Sequence, residues 1–227
     1  MHKIVCFDFD DVIVNNRLIF KLPFIGHKIK TLELGAEFIE GRLDPKKFNK
    51  FANGVMKQMK GIHVDNVMRI LLHMRLQKGA RETIEALKKK GYKIVIISTN
   101  DGTFIKKFLE KHKLLQHVSH IYAAKFGLKN DIMTGTIYGD VIKTEKTGIL
   151  PKLEKMYRIK RKEIIYIGDG LTDLPIMKKI GTGILFNPNE LTKLEIFTDK
   201  KLKAKKKNGS LYITSGNDLR TVMQFIP

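Results

Sequence analysis

Cysteine is nearly missing: Cys6 is the only one in 227 residues. A single thiol excludes an intramolecular disulfide and a multi-cysteine zinc site, and it fits a reducing compartment. Its place in an apolar run predicts plain burial. Long apolar runs are missing as well. No stretch approaches the roughly 18 residues needed to cross a bilayer, and the amino terminus lacks a signal-peptide pattern, so the expectation is a cytoplasmic protein with no membrane contact. Repeats are absent, and the lysine-rich "KKLKAKKKNGS" at 200–210 is the one low-complexity tract. With 43% hydrophobic and 29% charged residues, the chain reads as folded and globular rather than disordered or fibrous. Acidic residues are in short supply, 23 Asp and Glu against 43 Lys and Arg, for a net charge of +20. That excess admits two readings, affinity for nucleic acid or another polyanion, or a lysine-rich solvated surface. The lysines are spread along the chain without the interleaved aromatics that base stacking requires, so nucleic acid is not the favoured partner. Such a field still draws in small phosphorylated substrates.

What is present begins with "CFDFDDVIVNN", where Asp8, Asp10 and Asp11 follow an apolar run. Like charges this close repel, so at least one must be protonated, metal-bound or turned to solvent. The length suits one large domain or a core plus a smaller one.

After residue 78 the segments alternate in type. "ARETIEALKKKG" has apolar Ile84 and Leu87, basic residues in its last turn and Gly91 just beyond, which predicts a helix with a glycine stop. "YKIVIIS" predicts a buried strand. "DGTFIKKFLEKHK" predicts a helix with Asp101 as N-cap. Short strands are expected at "HIYAA" and "GTIYGD", a helix at "TEKTGILPKLEKMY", strands at "EIIYIGD" and "GILFN", and a helix from Leu171 to Gly181. Alternating strands and helices imply βαβ units, hence a doubly wound, mostly parallel, Rossmann-like sheet that binds ligand at the carboxyl ends of its strands.

Those ends carry polar residues: Asp8 and Asp10, Ser98, and Asp169, with Lys146 opening a helix between the last two. Each has a bland alternative, since an Asp or Ser after a strand is usually a turn former or cap and a helical Lys is mostly solvated. Their joint order argues for chemistry.

"CFDFDDVIVNN", "IVIISTND", "TEKTGIL" and "IIYIGDGLTDLPIM" resemble the four motifs of the haloacid dehalogenase superfamily, most closely its phosphoserine phosphatase-like branch. The resemblance spans nearly the whole chain. It implies Asp8 as the nucleophile that forms an aspartyl phosphate, Asp10 as general acid and base, and Ser98 and Lys146 as groups that hold the phosphoryl oxygens. It also implies a Mg²⁺ site built from Asp8, the carbonyl of Asp10, and Asp169, with Asp173 in support. Magnesium prefers oxygen ligands and one or two carboxylates, and phosphoryl transfer needs cations around charged oxygens, so the chemistry agrees. Asp10 would start protonated if crowding beside Asp8 raises its pKa. Asp11 is expected to be a turn or cap residue.

Residues 17–76 break the alternation. Asp44 as N-cap with Pro45 behind it, and Asp65 as N-cap before Val67, Ile70, Leu71 and Met74, predict helices. By resemblance 17–76 is an inserted helical cap, leaving 1–16 and 77–227 as a discontinuous catalytic core. The chain departs from the family at Arg17, where a glutamate that meets the substrate ammonium is expected, and at Thr99 and Asn100, which replace glycines. Arg17, Thr99 and Asn100 are therefore candidate substrate contacts, and an ammonium facing Arg17 would be repelled. The expected activity is hydrolysis of a small phosphomonoester other than phosphoserine. A phosphotransferase or mutase would use the same residues, and a nucleic-acid binder or polynucleotide-end phosphatase is the alternative. Oligomeric state is not legible.

Overall fold

The computed structural model describes residues 4–15, 54 and 56–227. In chain order the strands are β1 (Ile4–Phe7), β2 (Val14–Asn15), β3 (Arg75–Leu76), β4 (Lys93–Asp101), β5 (Val118–Lys129), β6 (Ile132–Tyr138), β7 (Ile164–Gly168), β8 (Thr182–Phe186) and β9 (Leu211–Thr214). The helices are α1 (Val64–Leu72), α2 (Ala80–Lys89), α3 (Gly102–Lys111), α4 (Asp140–Lys143), α5 (Leu150–Tyr157), α6 (Leu174–Met177), α7 (Glu190–Thr198) and α8 (Lys200–Lys207).

Seven strands form one sheet in the order β6-β5-β4-β1-β7-β8-β9, parallel throughout except for the β5–β6 hairpin. β1 lies at its centre, and all four of its residues are fully buried. A parallel strand covered on both faces reads as an unbroken apolar run for this reason. Val5 and Phe7 face one core with Phe104 and Phe108 of α3 and Ile84 and Leu87 of α2. Ile4 and Cys6 face a second core with Leu150 and Leu153 of α5, Ile176 of α6 and Leu202 of α8. Helices on both faces make the sheet doubly wound, as expected.

The expected β4 strand, the α2 and α3 helices and the Asp101 cap are all present, with Asp101 accepting from the Thr103 and Phe104 N–H groups. Other elements differ. The strands at "HIYAA" and "GTIYGD" extend into one long hairpin, because Asn130 and Asp131, at φ +48° and +60°, form its tight turn. Asn and Asp tolerate that left-handed backbone better than other side chains do. The helix expected from Thr144 begins only at Leu150, after a 3₁₀ turn at Thr147–Ile149, because Glu145 and Lys146 are both left-handed. The helix expected to run to Gly181 divides into a 3₁₀ turn at Leu171–Asp173 and the short α6. α1 is capped by His63, whose ring accepts from the Asp65 N–H, so Asp65 lies in the first turn and is not the cap. The lysine tract is helical: Asp199 caps α8 and Leu202 anchors it in the second core.

The expected helix start at Asp44 and Pro45 lies outside the described residues. The part of 17–76 that is described, helical at 56–58 and again in α1, packs Met56, Met59, Val67 and Leu71 into the same core as Phe7. β2 and β3 pair antiparallel, joining the strand that leaves β1 to the one that leads into α2.

Phe9, the residue between Asp8 and Asp10, is wholly buried and meets Phe104 and Phe108 edge-on at 5.6 and 5.4 Å. Edge-to-face contact adds to the burial of a large ring, so Phe9 pins the turn that carries both aspartates. Phe9→Ala is expected to cost about 3–5 kcal/mol in urea unfolding, the range for emptying a buried aromatic site. Phe9→Leu is expected to cost less, since it leaves a smaller cavity.

Candidate active site

Strand register brings the polar ends together. Phe7 pairs with Ile96 of β4 and Ile167 of β7, so the residues after each strand emerge at one edge of the sheet. Asp8 continues β1 by donating its N–H to the Ile167 carbonyl at 2.8 Å, and its Oδ1 accepts from the Phe9 N–H at 2.8 Å. Asp11, at φ +53°, makes the turn, as the sequence predicts.

Lys146 is fully buried. The left-handed pair at 145 and 146 interrupts the helical path and turns this side chain inward. Strained backbone of this kind persists only where the surroundings over-determine it. The ammonium lies 3.0 Å from Asp8 Oδ1, 2.6 Å from Asp173 Oδ1 and 3.2 Å from the Tyr166 hydroxyl.

Asp173, also fully buried, is saturated with donors. Its Oδ1 takes Lys146 and, at 2.8 Å, the Tyr166 hydroxyl, while Oδ2 takes the Asp169 and Gly170 N–H groups at 3.0 and 3.1 Å. Gly168 permits this closeness, because a Cβ there would stand 2.3 Å from the Asp173 carboxylate.

Asp8, Asp169 and Asp173 each present an oxygen within 4.8 Å of the others. Burial pushes Asp8 up to about 7, with Asp173 and Asp10 pushing the same way and Lys146 opposing. Burial, then Asp173 and Asp8, holds Asp169 well above the usual carboxylate range. Burial alone would lower Lys146, yet Asp173 and Asp8 hold the ammonium above its ordinary value. Ionised together, these three carboxylates would carry more negative charge than one ammonium balances, which is why burial and mutual repulsion push Asp8 and Asp169 upward. An all-oxygen donor set with a surplus of negative charge fits magnesium, which binds through one or two carboxylates and keeps its remaining positions for water and phosphate. Asp173 has its oxygens engaged, so Asp8 and Asp169 are the carboxylates that fit.

Ser98, fully buried within β4, accepts the Asn100 N–H at 3.1 Å. The Asn100 side chain donates to both Asp10 oxygens, at 3.0 and 3.1 Å.

The haloacid dehalogenase-like hydrolase family model matches residues 5–178. The chain belongs to that family. Among the relatives of this haloacid dehalogenase-like hydrolase is the phosphoserine phosphatase of Methanocaldococcus jannaschii, 28% identical over 186 residues, covering 81% of this chain and 85% of that one. Another is the phosphoserine phosphatase of Campylobacter jejuni subsp. doylei, 28% identical over 196 residues and covering 84% and 90%. A solved phospho-aspartyl intermediate analogue of phosphoserine phosphatase superposes with a TM-score of 0.78 at 26% identity, covering 100% of this chain and 99% of that one. A substrate-bound phosphoserine phosphatase complex gives the same TM-score at 25% identity and the same coverage. The chain is thus a phosphatase of the haloacid dehalogenase type, in the branch that resembles phosphoserine phosphatases. Among the described residues no helix is long and apolar enough to cross a membrane.

Of the residues singled out in the sequence, Asp8, Lys146, Asp169 and Asp173 form one connected cluster, with Asp10, Ser98 and Asn100 beside it. Thr99 is half-buried in the same segment. Arg17 lies outside the described residues. Tyr166 was not legible as a site residue. It sits inside an apolar strand where its hydroxyl could be traced only once its partners were known, and burial with Asp173 and Asp8 nearby keeps it a neutral phenol.

The Asp8 shift predicts how metal-free stability depends on pH. An acid whose pKa is higher folded than unfolded favours the fold while protonated, so its contribution is complete below 3.8 and lost as pH rises through about 7. Without metal, Asp8→Asn is therefore expected to gain melting temperature relative to the parent between pH 4 and 7. Differential scanning calorimetry with chelator at several pH values measures this, and a constant difference across the range would contradict it.

Proposed function

We propose that this enzyme is a Mg²⁺-dependent phosphomonoester hydrolase that works through an aspartyl phosphate on Asp8, in the cytoplasm, with residues 17–76 as a cap over the site. The observation that carries the reading is the buried ammonium of Lys146, 3.0 Å from Asp8, in a cluster whose surplus carboxylates suit a divalent cation.

In the first step an Asp8 oxygen attacks phosphorus and the bond to the leaving oxygen breaks, while Asp10 gives that oxygen its proton. Water then attacks the phosphorus of the acyl phosphate, Asp10 takes the proton back, and the bond to Asp8 breaks to free inorganic phosphate and the carboxylate. Lys146 and Ser98 face the phosphoryl oxygens, and Lys146 also holds Asp8 in place. Magnesium held by Asp8 and Asp169, with the Asp10 carbonyl, would supply positive charge to the phosphoryl oxygens. Asp173 orients Lys146 and the 169–170 backbone.

Asp8→Asn is expected to abolish phosphate release, since an amide does not attack phosphorus. Retention of more than about a hundredth of parent activity, a barrier change under roughly 2.7 kcal/mol, would argue against covalent catalysis here. Asp10→Asn keeps the nucleophile, so with an activated ester it is expected to load phosphate onto Asp8 and stall there. Intact-protein mass spectrometry reads that adduct, and its absence would remove Asp10 from the hydrolytic step.

The substrate follows from Arg17, whose fixed fork of donors suits a carboxylate, a second phosphate or clustered hydroxyls, and repels an ammonium. A panel of anionic, polyhydroxylated and aminated phosphomonoesters is expected to rank the aminated ones last. Arg17→Glu is expected to lose tenfold or more in kcat/KM on the best substrate, about 1.5–3 kcal/mol, and to gain on phosphoserine. Unchanged ranking would remove Arg17 from substrate selection.

A further inference from the structure

β4 does not end at Ser98. Its pairing with β5 sets Ser98 opposite Ala123 and then Asp101 opposite Ala124, so Thr99 and Asn100 are extra residues in one strand. Such bulges interrupt the ladder and re-aim side chains, and they concentrate beside active sites. Here the re-aimed side chain is Asn100, which is 6% exposed.

Both ends of its amide are determined by partners. Oδ1 accepts the Asp101 N–H at 2.7 Å, so the nitrogen points the other way, and there it donates to the two Asp10 oxygens at 3.0 and 3.1 Å. The flipped amide would set an oxygen against a carboxylate and an NH₂ against an N–H, with no bond at either end. Asp101 is anchored in turn. Its Oδ1 accepts from the Thr103 and Phe104 N–H groups of α3 at 2.8 and 3.1 Å, and its Oδ2 accepts from the Phe126 N–H of β5 at 2.9 Å. A continuous set of hydrogen bonds therefore runs from helix and sheet through Asp101 and Asn100 to Asp10.

We propose that Asn100 is a positioning residue for Asp10, and that the Thr99–Asn100 bulge serves to deliver it. This goes beyond the reading above and rests on it, because it requires Asp10 to be the proton shuttle. It also parts from the expectation that Asn100 touches substrate, since its amide is already engaged on both sides. Asp10 stands just before the turn at Asp11–Ile13 and pairs with Val14 as an isolated bridge, and the two bonds from the Asn100 amide fix the direction of its carboxylate. Small misplacements of a reacting group, on the order of 1 Å, can cost about a hundredfold in rate.

Asn100→Asp keeps the shape and the acceptor for the Asp101 N–H but loses the donor, and Asn100→Ala removes both. The measurement is kcat/KM on p-nitrophenyl phosphate, whose leaving group departs without a proton, and on β-glycerophosphate, whose alkoxide needs one. Both variants are expected to lose about tenfold or more on the alkyl ester beyond any loss on the aryl ester, and that extra loss is expected to vanish in an Asp10→Asn background, as a double-mutant cycle requires when one residue acts through the other. Equal losses on both esters, with weaker inhibition by inorganic phosphate, would make Asn100 a substrate contact and overturn the proposal. Unchanged kinetics with a lowered melting temperature would make it merely structural and overturn it too. Should one variant fail to fold, the other carries the same comparison. If the parent enzyme cleaves neither ester, the reading of Asp10 fails and this one with it. If the parent cleaves both and the variants keep its leaving-group ratio, only the role of Asn100 is lost.

Discussion

A buried ammonium holds this site together. Removing a lysine from water is unfavourable unless its charge is paired and its protons are bonded, and Lys146 meets both conditions with Asp8, Asp173 and the Tyr166 hydroxyl. Other features follow from that requirement. The chain enters the left-handed region at Glu145 and Lys146 to turn the side chain inward. A tyrosine interrupts the apolar run of β7 to share Asp173 Oδ1. A glycine stands at 168 because the Asp173 carboxylate occupies the space its Cβ would need. Taking away the ammonium leaves the Asp173 carboxylate buried and unbalanced, at a cost of about 3–5 kcal/mol. Stability and chemistry therefore share the same atoms.

The carboxylates around this ammonium are chemically alike, and their surroundings make them different. Asp173 accepts four hydrogen bonds and serves as a fixed anchor. Asp8 and Asp169 keep oxygen directed at the cluster and are pushed toward protonation by burial and, in both cases, by Asp173. Asp10 is held from the opposite side by a bulge in β4. In the proposed mechanism one residue type thus serves as anchor, nucleophile, metal ligand and proton carrier, according to which donors reach it.

Much of this was legible in the chain. Unbroken apolar runs ending in polar residues mark parallel strands and their ligand-binding ends, and β1, β4 and β7 follow that rule. Asp101 before a helical pattern is a cap by local chemistry alone. The misreadings share a cause. The tract at 200–210 reads only as low complexity because the one anchor of its helix, Leu202, gains meaning only against the second core. His63 caps α1 where Asp65 has the more usual side chain for it, and the helix after Lys146 starts late because the lysine is drawn inward. Tertiary contacts overrode local propensity in each case.

By itself the sequence determined what nearest neighbours along the chain can encode: the alternation of strands and helices, the burial of Cys6, the placing of Asp8, Asp10 and Asp169 just beyond strands, and that of Ser98 in the last part of one. Periodicity and capping act over a few residues, so they survive in a linear reading. Only the tertiary structure decided that Tyr166 shares the proton-rich side of Asp173, that Asn100 grips Asp10 across 90 positions, and that Asp173 is too fully bonded to stand with Asp8 and Asp169 as an open ligand. Those relations depend on the register between strands far apart in sequence and on an irregularity in one of them, and no local pattern records either.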